Sequence, residues 1–128
     1  MPITSKIDQS SQLTMHITTG EISSNDIIRV IESFYKEKPT KNVIWDFRDA
    51  DPDALLSFSY NELKDIVIFT KQHWELRRSG KTALVVSTDL GFGLGRMYDT
   101  LAEIENLSHS VQVFRSMDEA MKWLEKDE

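Results

Sequence analysis

Cysteine is absent from all 128 residues, so disulfide scaffolds, cysteine-ligated zinc, iron–sulfur clusters and thiol nucleophiles are excluded. No apolar run approaches the roughly 20 residues that span a bilayer, which argues against stable membrane insertion. An excess of basic charge is missing too. Fifteen Lys+Arg stand against 21 Asp+Glu, a formal charge of −6, and this disfavours duplex nucleic acid, whose binding rests on neutralising many phosphates. The opening residues Met1 to Lys6 have neither the charged head nor the long apolar middle of a secretory signal, so the expected compartment is the cytoplasm. No internal repeat, low-complexity tract or linker divides the chain, and residues 1–128 read as one domain. What is present, 40% hydrophobic and 28% charged residues, suits a globular core that buries about two-thirds of the unfolded surface.

Along the chain the apolar period switches between two and 3.6. Ile3, Ser5 and Ile7 share one side of an opening strand, and Leu13, Met15 and Ile17 do so after the polar link Gln9 to Ser11, which predicts an antiparallel hairpin at a sheet edge. Ser23 with Asp26 caps a first helix carrying Ile27, Ile28, Ile31, Phe34 and Tyr35, completed by Lys36 and Lys38 and ended by Pro39. Val43 to Phe47 reads as a strand covered on both faces, followed by a polar, acidic loop. Ser59 with Glu62 opens a second helix running to Arg78, and Lys81 to Ser87 reads as a buried strand. A glycine-spaced turn, Gly91 to Gly95, leads into a helix with Leu94, Met97, Leu101 and Ile104 on one stripe. Val111 to Phe114 is the last strand, and Ser116 with Glu119 caps a final helix. The order ββαβαβαβα predicts an α/β layered fold, a mostly parallel sheet with an N-terminal antiparallel hairpin and helices packed on the sheet.

In such sheets ligands meet the loops at the carboxyl ends of the parallel strands. Three loops qualify: Asp46 to Ser59, Ser87 to Arg96, and Arg115 with Ser116. Asp49, Asp51 and Asp53 are spaced like the start of a calcium loop, but Ala54 and Tyr60 stand where glycine and glutamate are needed. Arg48 stands where an aspartyl-nucleophile phosphatase needs its second aspartate. A looser magnesium site on Asp46 and Asp49, serving a hydrolase, is the alternative to a solvated acidic loop. The glycine turn fits neither the dinucleotide fingerprint nor the P-loop. It reads either as an anion site at a helix start, completed by Arg96, or as a tight turn in which Arg96 pairs with Asp89 or Asp99. Phe92 is core or an exposed contact. His16, His73 and His109 show no ligand spacing, and no Ser–His–Asp arrangement with a nucleophile elbow is present. The second helix has a wide apolar surface of Leu63, Ile66, Val67, Ile68, Phe69, Trp74 and Leu76, which reads as deep packing, a dimer interface or the wall of a pocket.

Three motifs in order, Val43 to Ala50, Gly91 to Tyr98, and Val113 to Ala120 with Trp123 and Leu124, resemble the SpoIIAA-like family of small bacterial proteins over about residues 10 to 126. That family is grouped with STAS domains, the fold of anti-sigma-factor antagonists, and is likened to the CRAL-TRIO lipid-transfer domain. The resemblance implies a STAS-like fold that agrees with the periodicity. STAS antagonists carry a phosphorylatable serine after the strand preceding the second helix. Here the Asp-Ser pair is replaced by Asp46, Phe47, Arg48, Asp49, and the nearest hydroxyls, Ser57 and Ser59, are the candidate phosphorylation sites; helix capping equally accounts for both.

The expected function is a non-enzymatic regulatory or protein-interaction module, with no catalytic residue, cofactor or metal, acting on a protein partner or as a homodimer. Its expected rim comprises Asp46, Arg48, Asp49, Ser57, Ser59, Thr88, Asp89, Gly91, Phe92, Gly93, Arg96 and Arg115. The alternative is a carrier or sensor of a small anionic or lipid-like ligand, held at its head by the Gly91–Arg96 turn and at its tail by Phe69 and Trp74.

Overall fold

The computed structural model describes residues 2–37, 39–73, 77, 79–107 and 110–126; Lys38, Trp74, Leu76, Arg78 and His109 of the sequence reading lie outside them. The elements are β1 (Ile3–Asp8), β2 (Leu13–Gly20), α1 (Ser24–Lys36), β3 (Asn42–Ala50), α2 (Pro52–Leu56), α3 (Tyr60–Lys71), β4 (Lys81–Val85), α4 (Asp89–Ile104), β5 (Ser110–Phe114) and α5 (Met117–Glu125). The sheet order is β1-β2-β3-β4-β5. β1 runs antiparallel to β2 and the other pairs are parallel, as the hairpin and the alternating pattern predict.

This order explains where the helices go. Each parallel strand is added on the same side of the last, so right-handed crossovers place α1, α3 and α4 on one face of the sheet. There Val43, Trp45, Leu84, Val111 and Val113 pack against Ile27, Ile31, Phe34, Ile66 and Ala102. α5 follows the last strand, is no crossover, and covers the opposite face. Its Ala120 and Leu124 bury Ile44, Ala83, Val85 and Phe114, with Leu13 and Met15 at the margin. β4 lies between two strands and under both layers, and all five of its residues are buried, including Lys81 and Thr82.

Several expectations change. The first long loop contains a short helix, α2, with Asp51 as N-cap and Pro52 in its first turn. β3 continues past Phe47 to Ala50 because Thr19 and Gly20 of β2 pair with Asp49 and Ala50 beyond an irregularity. Asp46, Arg48 and Asp49 are therefore strand residues and not loop residues. α3 ends at Lys71, short of the expected Arg78. The glycine run is no turn at all: Gly91, Gly93 and Gly95 lie inside α4, capped by Thr88. β2 turns Thr14, His16 and Thr18 inward, at 0%, 2% and 0% exposure, and leaves Leu13, Met15 and Ile17 half-buried.

Candidate functional site

Helices α1 to α5 all begin at the end of the sheet where the parallel strands finish, which makes that rim a ring of N-caps. Ser23, Asp51, Ser59, Thr88 and Ser116 each accept from a backbone N–H two or three residues on. At Ser23 and Ser59 the caps are reciprocal, with Asp26 and Glu62 reaching back, as the sequence spacing predicts. The backbone donors an anion would need are thus partly taken by the chain itself.

The charged rim residues are also paired with one another. Asp46 and Arg48 point to the same face of β3, and the guanidinium straddles the carboxylate: Nε to Oδ1 and Nη2 to Oδ2, both at 2.9 Å, with the Arg48 backbone N–H adding a third bond to Oδ1 at 3.0 Å. Those bonds, led by the Arg48 side chain, hold the Asp46 carboxyl below its usual range against the opposing effect of burial. Both Asp46 oxygens are engaged, so the magnesium arrangement with Asp49 is not formed. Among the described residues, no group of three or more His, Asp or Glu could hold a metal ion. Ser87 Oγ donates to the Arg48 carbonyl at 3.3 Å and ties β4's end to β3. Arg115 pairs with the exposed Asp89 at 2.5 Å, and its guanidinium lies 4.8 Å from the centre of the half-buried Phe92 ring. Ser57 Oγ donates to the Ala54 carbonyl at 2.7 Å at the end of α2, and Ser59 caps α3.

The Gly91–Arg96 anion seat does not form. Arg96 is exposed in the second turn of α4, away from the helix start, and Thr88 already occupies the Gly91 N–H at 2.9 Å. The glycines serve approach instead. A β-carbon on Gly91 would stand 3.2 Å from Val86 Cβ, and one on Gly95 2.5 Å from Val113 Cγ2, while Gly93 faces open space.

Between the sheet and helices α2, α3 and α4 a gap remains, and Gly91 and Gly95 themselves border it. A cavity of about 80 Å³ lies beneath the rim, its apolar lining including Phe47, Leu55, Phe58, Leu63, Leu94 and Tyr98. The expected tail-binding residue Phe69 is not part of this lining; it packs 5.1 Å from the His73 ring. Deeper lies a polar cluster that the sequence reading, which weighed His16 only as a metal ligand, did not assemble. His16 Nδ1 is 2.7 Å from Ser5 Oγ, and its ring lies 4.4 Å from that of Trp45. Burial, and then the nearby Arg77 charge, push the His16 pKa down to about 4, so the imidazole is neutral at pH 7. Tyr98 is pushed up to about 12 by burial. Arg77, whose pKa burial lowers, spans Thr40 and Lys41 just before β3 and Lys81 and Thr82 at the start of β4, the end of the sheet away from the rim.

No family model and no curated protein matches the sequence. Solved structures do match. An uncharacterised DUF3478-family protein with a SpoIIAA-like fold from Shewanella loihica PV-4 superposes with a TM-score of 0.56 at 14% identity, over 95% of this chain and 91% of that one. The fold is SpoIIAA-like. The unphosphorylated anti-sigma factor antagonist SpoIIAA matches with a TM-score of 0.53 at 13% identity, over 98% and 99% of the two chains. An anti-sigma factor antagonist from Mycobacterium paratuberculosis gives 0.57 at 13%, over 97% and 95%. At these identities the likeness is one of architecture. Among the described residues, no helix is long and apolar enough to cross a membrane.

Proposed function

We propose that this SpoIIAA-like domain is a non-enzymatic regulatory module that binds a protein partner across the rim and the outer side of α4. The observation that carries this reading is the set of apolar side chains left in water there. Leu56 at the end of α2, Tyr60 at the start of α3 and Leu90 at the start of α4 are 48%, 54% and 51% exposed. Met97 and Ile104 continue the Leu90 stripe at seven-residue steps, which return to nearly the same side of a helix. Apolar anchors ringed by polar groups are the usual anatomy of a recognition surface. The charges left over on this surface after internal pairing are the exposed Asp49 and Asp53 on the rim and the exposed Arg96 on α4, so the partner surface is apolar at its centre, basic where it meets the rim and acidic where it meets Arg96. Two of the matched structures being anti-sigma factor antagonists supports a regulatory role. The test is affinity capture from the native host with wild type and with Leu56→Glu/Leu90→Glu. The reading predicts a stoichiometric partner that the double variant loses while keeping its melting temperature. Capture indifferent to both substitutions, or robust hydrolysis by the purified protein, counts against it.

The apolar cavity favours a second reading, that the domain senses or carries a small molecule. Native mass spectrometry of freshly purified protein checks it: a stoichiometric added mass supports the reading and a clean apo mass opposes it.

A further inference from the structure

The apolar cavity adjoins a smaller space whose lining mixes polar groups with hydrocarbon. Ile31, Trp45, Thr82 and Tyr98 border both it and a smaller cavity of about 30 Å³. The far wall of the smaller one holds His16, Tyr35, Thr70 and Arg77. Its volume exceeds the roughly 10–15 Å³ that admits a single water.

Two features of this wall call for a ligand. Arg77 is 4% exposed and gives its N–H groups to the carbonyls of Thr40, Lys41 and Lys81 and the hydroxyl of Thr82, at 2.8 to 3.2 Å. Every one of those acceptors is neutral, and among the described residues no carboxylate pairs with the guanidinium. Among the described residues its charge is buried without a counter-charge, the Tyr35 hydroxyl beside it favours the charged form, and of its five N–H donors one on Nη1 has no acceptor in good hydrogen-bond geometry. The second feature is the Tyr35 hydroxyl, buried beside the Arg77 guanidinium but in no hydrogen bond of good geometry, so that its own O–H is left without an acceptor. The Tyr35 ring is fixed by stacking on His73 at 5.2 Å and by an edge contact with Phe34 at 5.0 Å. Buried hydroxyls are costly to leave unpaired, and here the unpaired donor borders the same small space as the uncompensated cation. The neighbouring imidazole of His16 is neutral and adds no competing charge.

We infer that the two cavities form one binding site for a small amphipathic carboxylic acid, its short chain or single ring in the apolar part and its carboxylate accepting from the Tyr35 hydroxyl and Arg77 Nη1. The inference rests on the reading that the apolar cavity holds a ligand. A carboxylate supplies both things the wall lacks, a negative charge and spare acceptor lone pairs. An alcohol of the same length supplies only an acceptor, and an ammonium group is repelled. The seat is thus moved from the surface Arg96 of the sequence reading to the interior Arg77.

Isothermal titration calorimetry of the whole chain at neutral pH, with hexanoate, 1-hexanol and hexylammonium as probes, tests the assignment. Hexanoate is expected to bind at least about tenfold more tightly than hexanol, and hexylammonium not to bind. Arg77→Met would strip the guanidinium from β3 and β4 and could unfold the chain, so Tyr35→Phe is the decisive variant, since its hydroxyl makes no hydrogen bond of good geometry in the free protein, and an unchanged melting temperature checks that Arg77 keeps its place. That variant should bind hexanoate about five- to tenfold more weakly and hexanol unchanged. Equal affinity for hexanoate and hexanol, or hexanoate affinity unaltered in Tyr35→Phe, overturns the carboxylate while the cavity stands as a ligand site. Failure of all three probes to bind overturns both.

Discussion

Gly95 of α4 is pressed against Val113 of β5 so closely that a β-carbon there would stand 2.5 Å from the valine Cγ2 and 2.9 Å from its Cβ. Two residues away in the same helix, Gly93 has nothing within 4 Å of the equivalent position. One substitution therefore has opposite signs at the two sites. Gly93→Ala should stabilise the protein by about 0.5–1 kcal/mol, the helix-propensity difference. Gly95→Ala gains the same propensity but overpacks a stiff β-branched neighbour, for a net loss of about 1–2 kcal/mol. Urea midpoints of the two variants measure this, and equal shifts would show that α4 does not sit on β5 as described.

The same glycines show where the sequence could be read and where it could not. Ser23 and Ser59 were legible as caps because the Ser-x-x-Asp/Glu spacing acts within one helical turn. The hairpin was legible because its period of two is equally local. Gly91, Gly93 and Gly95 suggest a turn when only local propensity is weighed, whereas packing of a helix onto a strand decides their role. The inversion on β2 has a similar cause: Thr14 is buried because its hydroxyl meets that of Thr40 at 2.8 Å, and Thr18 because it donates to the Asp46 carbonyl at 3.0 Å. Nothing in the neighbourhood of Arg77 in sequence announces a buried guanidinium. Its acceptors at Thr40 and Lys41 lie 37 and 36 residues away, and only the folded sheet brings them together.

Capping separates the two candidate serines. Ser59 accepts from the Glu62 N–H at 3.1 Å and anchors α3, so Ser59→Ala should cost about 1 kcal/mol, while Ser59→Asp retains the cap and should stay within about 0.5 kcal/mol of wild type. Ser57 is exposed and bonds back to Ala54 at the end of a five-residue helix, so Ser57→Ala should change stability by less than about 0.5 kcal/mol. Thermal melts of the three variants settle the ordering; a larger loss at Ser57 than at Ser59 would contradict it.

Arg48 is 44% exposed as a side chain and the Asp46 carboxylate it covers 8%, so the pair is screened on one side only. Arg48→Ala should cost about 1 kcal/mol. It should also let the Asp46 pKa climb back toward its ordinary 3.8, because the largest cause of the depression is gone. The depressed pKa stabilises the fold above 3.8, and this contribution is lost as pH falls through the lower folded value. NMR titration of the Asp46 carboxyl follows both effects. Wild-type melting should be indifferent to magnesium, since the ion would have to displace the guanidinium; a clear magnesium-dependent rise would revive a metal site here.

His16 dominates the acid response at milder pH. Its folded pKa of about 4 lies below the ordinary 6.5, because burial first and the Arg77 charge second oppose protonation. The unfolded chain therefore binds the extra proton between those values, and stability, complete above 6.5, falls as pH drops toward 4. The expected loss between pH 7 and pH 5 is about 2 kcal/mol. This window lies above the range in which Asp46 titrates, so the two contributions separate on the pH axis. In His16→Gln the titrating group is gone, and urea midpoints should become nearly flat from pH 7 to pH 5 even if the variant is less stable throughout. A variant that retains the wild-type slope would mean that another buried group, and not the imidazole beside Ser5 and Trp45, resists protonation in this core.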